Sequence, residues 1–391
     1  MFDFDRLIER NGSDSEKWDG RAEKFGRADV VPLWVADMDF AAAPEIVAAL
    51  SARAAHPVYG YTRVNEEVFA ALEQWLARRW GWSLPRDELR LAPGVVPSIH
   101  AAILAFTGPG DGVIVQPPVY PPFFSAVRTL GRTVLENPLV GKPGASGLGY
   151  EMDFDGLERL AAGGARLLLL CSPHNPLGRV WRESELRTVL EIARRHGLTV
   201  FSDEIHADLV LSGMRHIPLA TLADADERLL TAVAPSKTFN IPGLGLSALA
   251  TGHAALREAV DRVFASWHWQ AGNPFSLAAF LAAYRHGEDW LDALLEYLRV
   301  SRDVAACEIG RLWPGVVPLP AQATSLLWLD CRQLGLSDDA LQHFFIDRCG
   351  LGLSPGVQFG TGGRGFMRLN FATGRERLLQ AIRQAAPAFP S

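Results

Sequence analysis

Two apolar runs, 165–171 (ARLLLLC) and 198–202 (LTVFS), flank an amphipathic stretch at about 183–195 that Gly197 ends. Short runs without polar alternation predict strands buried on both faces, and a helical crossover between two of them predicts a parallel βαβ unit. The pattern recurs upstream, where Pro97 opens a helix through Phe106 and 112–116 (GVIVQ) forms a strand behind it. Downstream, 290–312 reads as a long helix. Strands are expected at 325–330 (SLLWLD) and 365–371 (GFMRLNF), each leading into a helix, the first of them capped by Ser337. The fold class is therefore α/β. A large domain with a mainly parallel central sheet is expected over 46–287, and a smaller α+β domain is built from both termini, 1–45 and 288–391.

Composition narrows the classes of function. The 391 residues are 48% hydrophobic, enough for two or three folding units with ample core. A net charge of −6 without any Lys/Arg block offers no electrostatic footprint for nucleic acid or a membrane surface. Cys171, Cys307, Cys331 and Cys349 form no C-x-x-C pair and have no His at zinc spacing, so no metal is expected. They read as reduced thiols in a cytoplasmic protein, and the N-terminus lacks the apolar stretch of a signal peptide.

Ligands of open α/β sheets bind beyond the carboxyl ends of the strands. Three polar side chains are expected there: Asn175 in SPHNPLG, Asp203 in VFSDEIH and Lys237 in VAPSKTFN. A lysine in a dry pocket loses its charge readily, and its neutral amine attacks aldehydes. A buried aspartate needs a cation, and a protonated pyridine nitrogen supplies one. Asn175 can donate to a phenolic oxygen on the same ring. The turn Gly94-Val95-Val96 enters a helix whose N-terminal N–H groups suit a phosphate dianion, and Ser236 adds a hydroxyl beside Lys237. Tyr120, on a rigid proline loop, is placed to stack on a flat ring. Singly, each of these is more often a cap, a surface pair or a packing residue. Their order along the chain is what points to pyridoxal 5′-phosphate (PLP), bound covalently through Lys237.

That ordered set, PPVYPPF, SPHNPLGRVW, DEIHADLV, APSKTFNIPGL and GFMRLNFA, resembles the fold-type I PLP enzymes of the aspartate aminotransferase superfamily. With KWD (17–19), PLWVADMDF (32–40) and HPVYGY (56–61), it is similar to the MalY/PatB branch of cystathionine β-lyases and cysteine-S-conjugate C–S lyases, over about residues 2–385. The resemblance implies that Lys237 carries the cofactor and moves the proton at Cα. It implies that Asp203 holds the pyridine nitrogen, Asn175 the ring O3′, and Tyr120 the ring face. Ser236 and the Gly94-Val95-Val96 backbone would hold the phosphate. Arg368 would pair with the substrate α-carboxylate, to which Ala36 would lend its N–H. Tyr61 would reach the phosphate in a neighbouring subunit, giving a homodimer with shared active sites. His206 falls near the cofactor with no role fixed.

The chain departs from the branch at three places. Ala234 stands where a hydroxyl is common, Ser325 where relatives often carry Tyr, and Phe371-Ala372-Thr373 where Cys-Pro often follows RLN. The last two are expected close to the substrate pocket, with Ser325 enlarging it. Gly360 to Gly365 has dinucleotide-loop spacing but precedes a strand, so it reads as a turn. Trp267-His268-Trp269 could line the pocket mouth, but such clusters are more often core, and His174 is either a substrate contact or a loop histidine satisfied by backbone.

The expected function is PLP-dependent α,β-elimination from L-cystathionine or an S-substituted L-cysteine, giving thiol, pyruvate and ammonia. An aminotransferase acting on a small or aromatic L-amino acid is the alternative. A non-catalytic PLP-fold regulator is a third reading, disfavoured because Lys237, Asp203, Asn175 and Arg368 are all present.

Overall fold

In the computed structural model the described residues are 2–144, 147–211, 213–224 and 226–389. Seven strands build the main sheet: β1 (Leu89–Ala92), β2 (Gly112–Val115), β3 (Thr133–Glu136), β4 (Leu167–Cys171), β5 (Thr199–Asp203), β6 (Leu229–Val233) and β7 (Ser247–Ala250). Their order is β1-β7-β6-β5-β4-β2-β3. Every pairing from β6 to β3 is parallel, while β7 runs antiparallel to both β6 and β1. All five residues of β4, β5 and β6 are buried, which is why those segments carry no polar alternation.

Helices supply the crossovers, as the patterns require. A five-residue helix near the N-terminus, α1, covers Arg21–Phe25. Helix α2 (Val95–Phe106) follows β1, and α3 (Glu183–His196) joins β4 to β5. Gly197 ends α3 in the left-handed conformation at φ 63°, accepted without penalty by a residue lacking Cβ. A single turn, α4 (Pro235–Thr238), follows β6, and α5 runs from Glu288 to Leu312.

Beyond α5 a four-stranded sheet contains β8 (Val317–Pro318), β9 (Leu326–Asp330), β10 (Ser354–Pro355) and β11 (Phe366–Asn370), in the order β8-β9-β11-β10. The N-terminal segment joins this region: Val31–Pro32 pairs in parallel with Leu351–Gly352. A Cβ on Gly352 would lie 2.6 Å from the Phe25 ring, so glycine lets α1 seat Phe25 there. Ser337 caps the helix Asp338–His343 through Ala340 N, as its sequence predicts. Among the described residues no helix is long and apolar enough to cross a membrane.

Candidate active site

Three neighbouring parallel strands deliver three side chains to one place. Asp203 is the last residue of β5, Asn175 lies four residues after β4, and Lys237 lies in α4 directly after β6. They line a cavity of about 490 Å³ together with Ala36, Gly94, Val95, Val96, Tyr120, His206, Ser236 and Arg368. Every residue given a cofactor or substrate contact is thus brought together except Tyr61. That residue is fully exposed, in a segment without regular structure, and does not line this cavity.

Lys237 Nζ donates to the carbonyl of Ala36 at 2.7 Å. Burial, aided by the Arg368 charge, pulls its pKa from 10.5 down to about 8, although Asp37 and Asp203 oppose the fall. About a tenth of it is therefore the neutral amine at pH 7 and about half at pH 8. Ala36 was expected to offer its N–H to a carboxylate; the contact found uses its carbonyl, toward Lys237. Helix α4 is held from below, because Thr238 Oγ1 donates to buried Asp208, which also accepts from Trp75 Nε1.

Asp203 accepts a hydrogen bond from Ile205 N at 3.1 Å, and burial pushes its carboxyl up to about 7. Among the described residues no cationic side chain forms an ion pair with it, so a cationic ring nitrogen in the cavity would restore its charge. His206 is buried with Nδ1 unpartnered among the described residues, and burial together with Lys237 and Arg368 lowers it to about 3, leaving it neutral.

Gly94 has φ 132°, a region L side chains rarely adopt, and the chain turns there into α2. The first-turn N–H groups of α2 have no carbonyl within the helix to receive them, and they open on the cavity beside Ser236. Ala234 caps α4 with no side-chain bond.

Arg368, from β11, is buried, and among the described residues no carboxylate pairs with it. Its Nη1 donates to Asn175 Oδ1 (3.2 Å), its Nη2 to Trp34 O (2.7 Å) and Ser354 Oγ (3.2 Å), and its Nε has no partner among the described residues. Burial lowers its pKa to about 10. A buried guanidinium lacking an anion is a receptor for one.

The segment 34–40 runs between these groups as a strap. Asn370 Nδ2 donates to the carbonyls of Val35 and Asp37, and Asn240 Nδ2 to those of Met38 and Phe40. The KWD and ADMD motifs knot beneath it: Lys17, fully buried, pairs with Asp39 at 3.1 Å, Trp18 Nε1 donates to the same carboxylate, and Arg10 reaches both Asp37 and Asp39.

Ser325 and Phe371-Ala372-Thr373 are buried but do not line the cavity, so the expectation that they shape the pocket is corrected. The carbonyl of Ser325 accepts from Phe371 N at 2.9 Å, making this a structural joint between β9 and β11. Gly360 to Gly365 forms a turn before β11. His174 bonds Pro118 O through Nε2 at 2.8 Å, its Nδ1 has no partner among the described residues, and it stays outside the cavity. Trp269 packs on Phe264 but is only half-buried, and Trp267 and His268 are exposed, so the core reading of that cluster is corrected. Lys24, Trp34, Ser354 and Phe359, none anticipated, also line the cavity. Among the described residues no group of His, Cys, Asp and Glu could hold a metal ion.

Taken together, an amine nucleophile, a carboxyl awaiting a cationic ring nitrogen, a phosphate cradle and an unpaired arginine define a fold-type I PLP site. Residues 28–385 match the family described as aminotransferase class I and II, and the chain belongs to that family. It is 40% identical to cystathionine β-lyase PatB of Bacillus subtilis (strain 168) over 387 residues, 98% of this chain and 99% of that one. Protein MalY of Escherichia coli (strain K12) is 35% identical, covering 98% and 97%. The crystal structure of cystalysin from Treponema denticola, which contains a pyridoxal 5′-phosphate cofactor, superposes with a TM-score of 0.94 at 32% identity, covering 99% of this chain and 98% of that one.

Proposed function

We propose that the chain is a PLP-dependent carbon–sulfur β-lyase that cleaves L-cystathionine or S-substituted L-cysteines to a thiol, pyruvate and ammonia. The observation that carries the reading is Arg368, a buried unpaired guanidinium facing the same cavity as Lys237 and Asp203. Near-full-length likeness to two β-lyase-branch proteins supports elimination as the outcome. When bound, PLP supplies an aldehyde for the substrate amine and a ring that takes up the electron pair left when the Cα proton departs.

The chain's own groups do the rest. Arg368 fixes the α-carboxylate as a planar fork, with Nε and an Nη matching its two oxygens. Lys237, once released from the cofactor, takes the Cα proton and returns one to the leaving sulfur. Asp203 keeps the ring nitrogen protonated, Asn175 orients the ring oxygen, and Tyr120 covers one ring face. Gly94-Val95-Val96 and Ser236 anchor the phosphate. Neutral His206 adds bulk near the ring without a competing charge.

Products decide between this and the reading that the family's description favours, an aminotransferase. With L-cystathionine and no added keto acid, pyruvate and thiol are expected to accumulate over many turnovers, while L-alanine, with no leaving group, stays inert. A reaction that stops after one turnover and resumes on adding 2-oxoglutarate would replace the lyase by an aminotransferase.

The working unit is inferred to be a cytoplasmic homodimer with shared sites. Val58, Tyr59 and Tyr61 stand exposed together, and Tyr61 lies outside its own chain's cavity, as a residue serving a neighbour's phosphate would. Mixing Lys237→Ala protein with Tyr61→Ala protein should restore part of the activity, because one hybrid site is then intact. No recovery in proven heterodimers would assign Tyr61 to its own chain.

A further inference from the structure

Of the charged side chains lining the cavity, Lys237 and Asp203 answer to the cofactor and Arg368 to the α-carboxylate, while His206 is neutral. Lys24 is left over. It projects from α1, exposed at the cavity's edge, with its Nζ 5.4 Å from the centroid of the Trp34 ring. Among the described residues that ring is its one charged or aromatic partner; no carboxylate pairs with it.

The placement is built rather than incidental. Phe25, the next residue, is buried edge-on against Trp34 with centroids 5.5 Å apart, and it fills the space left open at Gly352. Trp34 is pinned at its other end, its indole Nε1 donating to Lys17 O at 3.1 Å and its carbonyl accepting from Arg368 and Ser354. One tryptophan therefore carries the two cations at its two ends: the backbone touches the arginine that receives the α-carboxylate, and the ring carries Lys24. Through Trp34, Lys24 is linked to the part of the cavity wall that holds Arg368.

We propose that Lys24 is a specificity-determining residue that selects S-substituted cysteines whose sulfur arm ends in a carboxylate. This rests on the C–S lyase reading. With the α-carboxylate on Arg368, the chain from Cα through Cβ and sulfur extends past Trp34, and the arm's apolar carbons lie along the indole. The terminal carboxylate then meets Lys24 at the mouth, where among the described residues no protein carboxylate pairs with it. An exposed cation is screened by water and salt, so the preference is modest: roughly one-and-a-half- to fivefold in kcat/KM at low ionic strength, shrinking as salt is added.

The experiment compares S-(2-carboxyethyl)-L-cysteine with its neutral isostere S-(2-carbamoylethyl)-L-cysteine on the holoenzyme, each protein serving as its own reference. The acid-to-amide ratio of kcat/KM should exceed one for the wild type, fall to about one in Lys24→Met and drop below one in Lys24→Glu. A ratio that stays the same across the three proteins, or a wild-type preference for the amide, overturns the proposal. Should neither compound release pyruvate, the lyase reading fails by itself. The same ratio is then read from the dissociation constants of the two compounds, followed by the cofactor's visible absorption, and the same two outcomes decide on Lys24.

Discussion

Lys237→Ala is expected to abolish turnover while leaving the fold intact. The side chain lies in α4, just after β6, held by one hydrogen bond to Ala36 O, and its removal breaks no ion pair among the described residues. Two functions go together: the covalent hold on the cofactor and the proton transfer at Cα, the latter alone contributing roughly 10²- to 10⁴-fold in enzymes of this kind. Borohydride treatment of the wild-type holoenzyme should fix the cofactor's mass on a peptide containing Lys237, and the variant should show no such adduct. If the variant kept both the adduct and full activity, another lysine would be the attachment point. The same residue sets a pH dependence. Its pKa is lowered to about 8, so the reactive neutral amine grows as pH rises through that value. Capture of added PLP by the apoprotein should therefore quicken up to about pH 8 and level off above it, whereas an ordinary lysine would continue to gain toward 10.5.

Asp203→Asn should give the opposite split, with the cofactor retained and chemistry lost. An amide can still accept the bond from Ile205 N, so the local turn survives. It cannot hold a proton on the ring nitrogen, and without that cation the electron pair from Cα has nowhere favourable to go. Loss of one preorganised electrostatic group costs on the order of 10²- to 10³-fold in kcat. The measurement is kcat on L-cystathionine alongside the PLP content of the purified protein. Normal kcat at full occupancy would remove Asp203 from the role; low occupancy would make it a binding residue instead.

Asn175, Asp203 and Lys237 are legible in the sequence because each closes or follows an unbroken apolar run. A polar residue just past a doubly buried strand has to lie at the sheet's carboxyl edge. Arg368 is legible only through the resemblance, since an arginine within a strand has many bland explanations. The strands that periodicity overlooks are those where side chains are small or the edge is wet. In β7 the sequence is SALA, and in β3 the outer residues meet solvent. Lys24 and Trp34 carry no local signal at all, because their place at the cavity depends on Val31–Pro32 pairing with Leu351–Gly352, far along the chain. Ser325 was misjudged for the same reason. Sequence position puts it next to a site strand, but the backbone pairing with Phe371 turns it inward to the joint.

The strap has a consequence for how the molecule is made. Trp34 meets Arg368 across 334 positions of chain, and Val35 meets Asn370 across 335. Contacts so distant in sequence form late, because closing them orders everything between. During synthesis the strap emerges early, and its Trp34 and Val35 carbonyls lack these two partners until β11 leaves the ribosome. A nascent chain can therefore assemble β4, β5 and β6, and with them Asn175, Asp203 and Lys237, while the carboxylate receptor does not yet exist. Cofactor chemistry in such an unfinished chain would have no means of recognising an amino acid, and a product truncated shortly before Arg368 would retain most of the protein's mass but lack the arginine that orients a substrate.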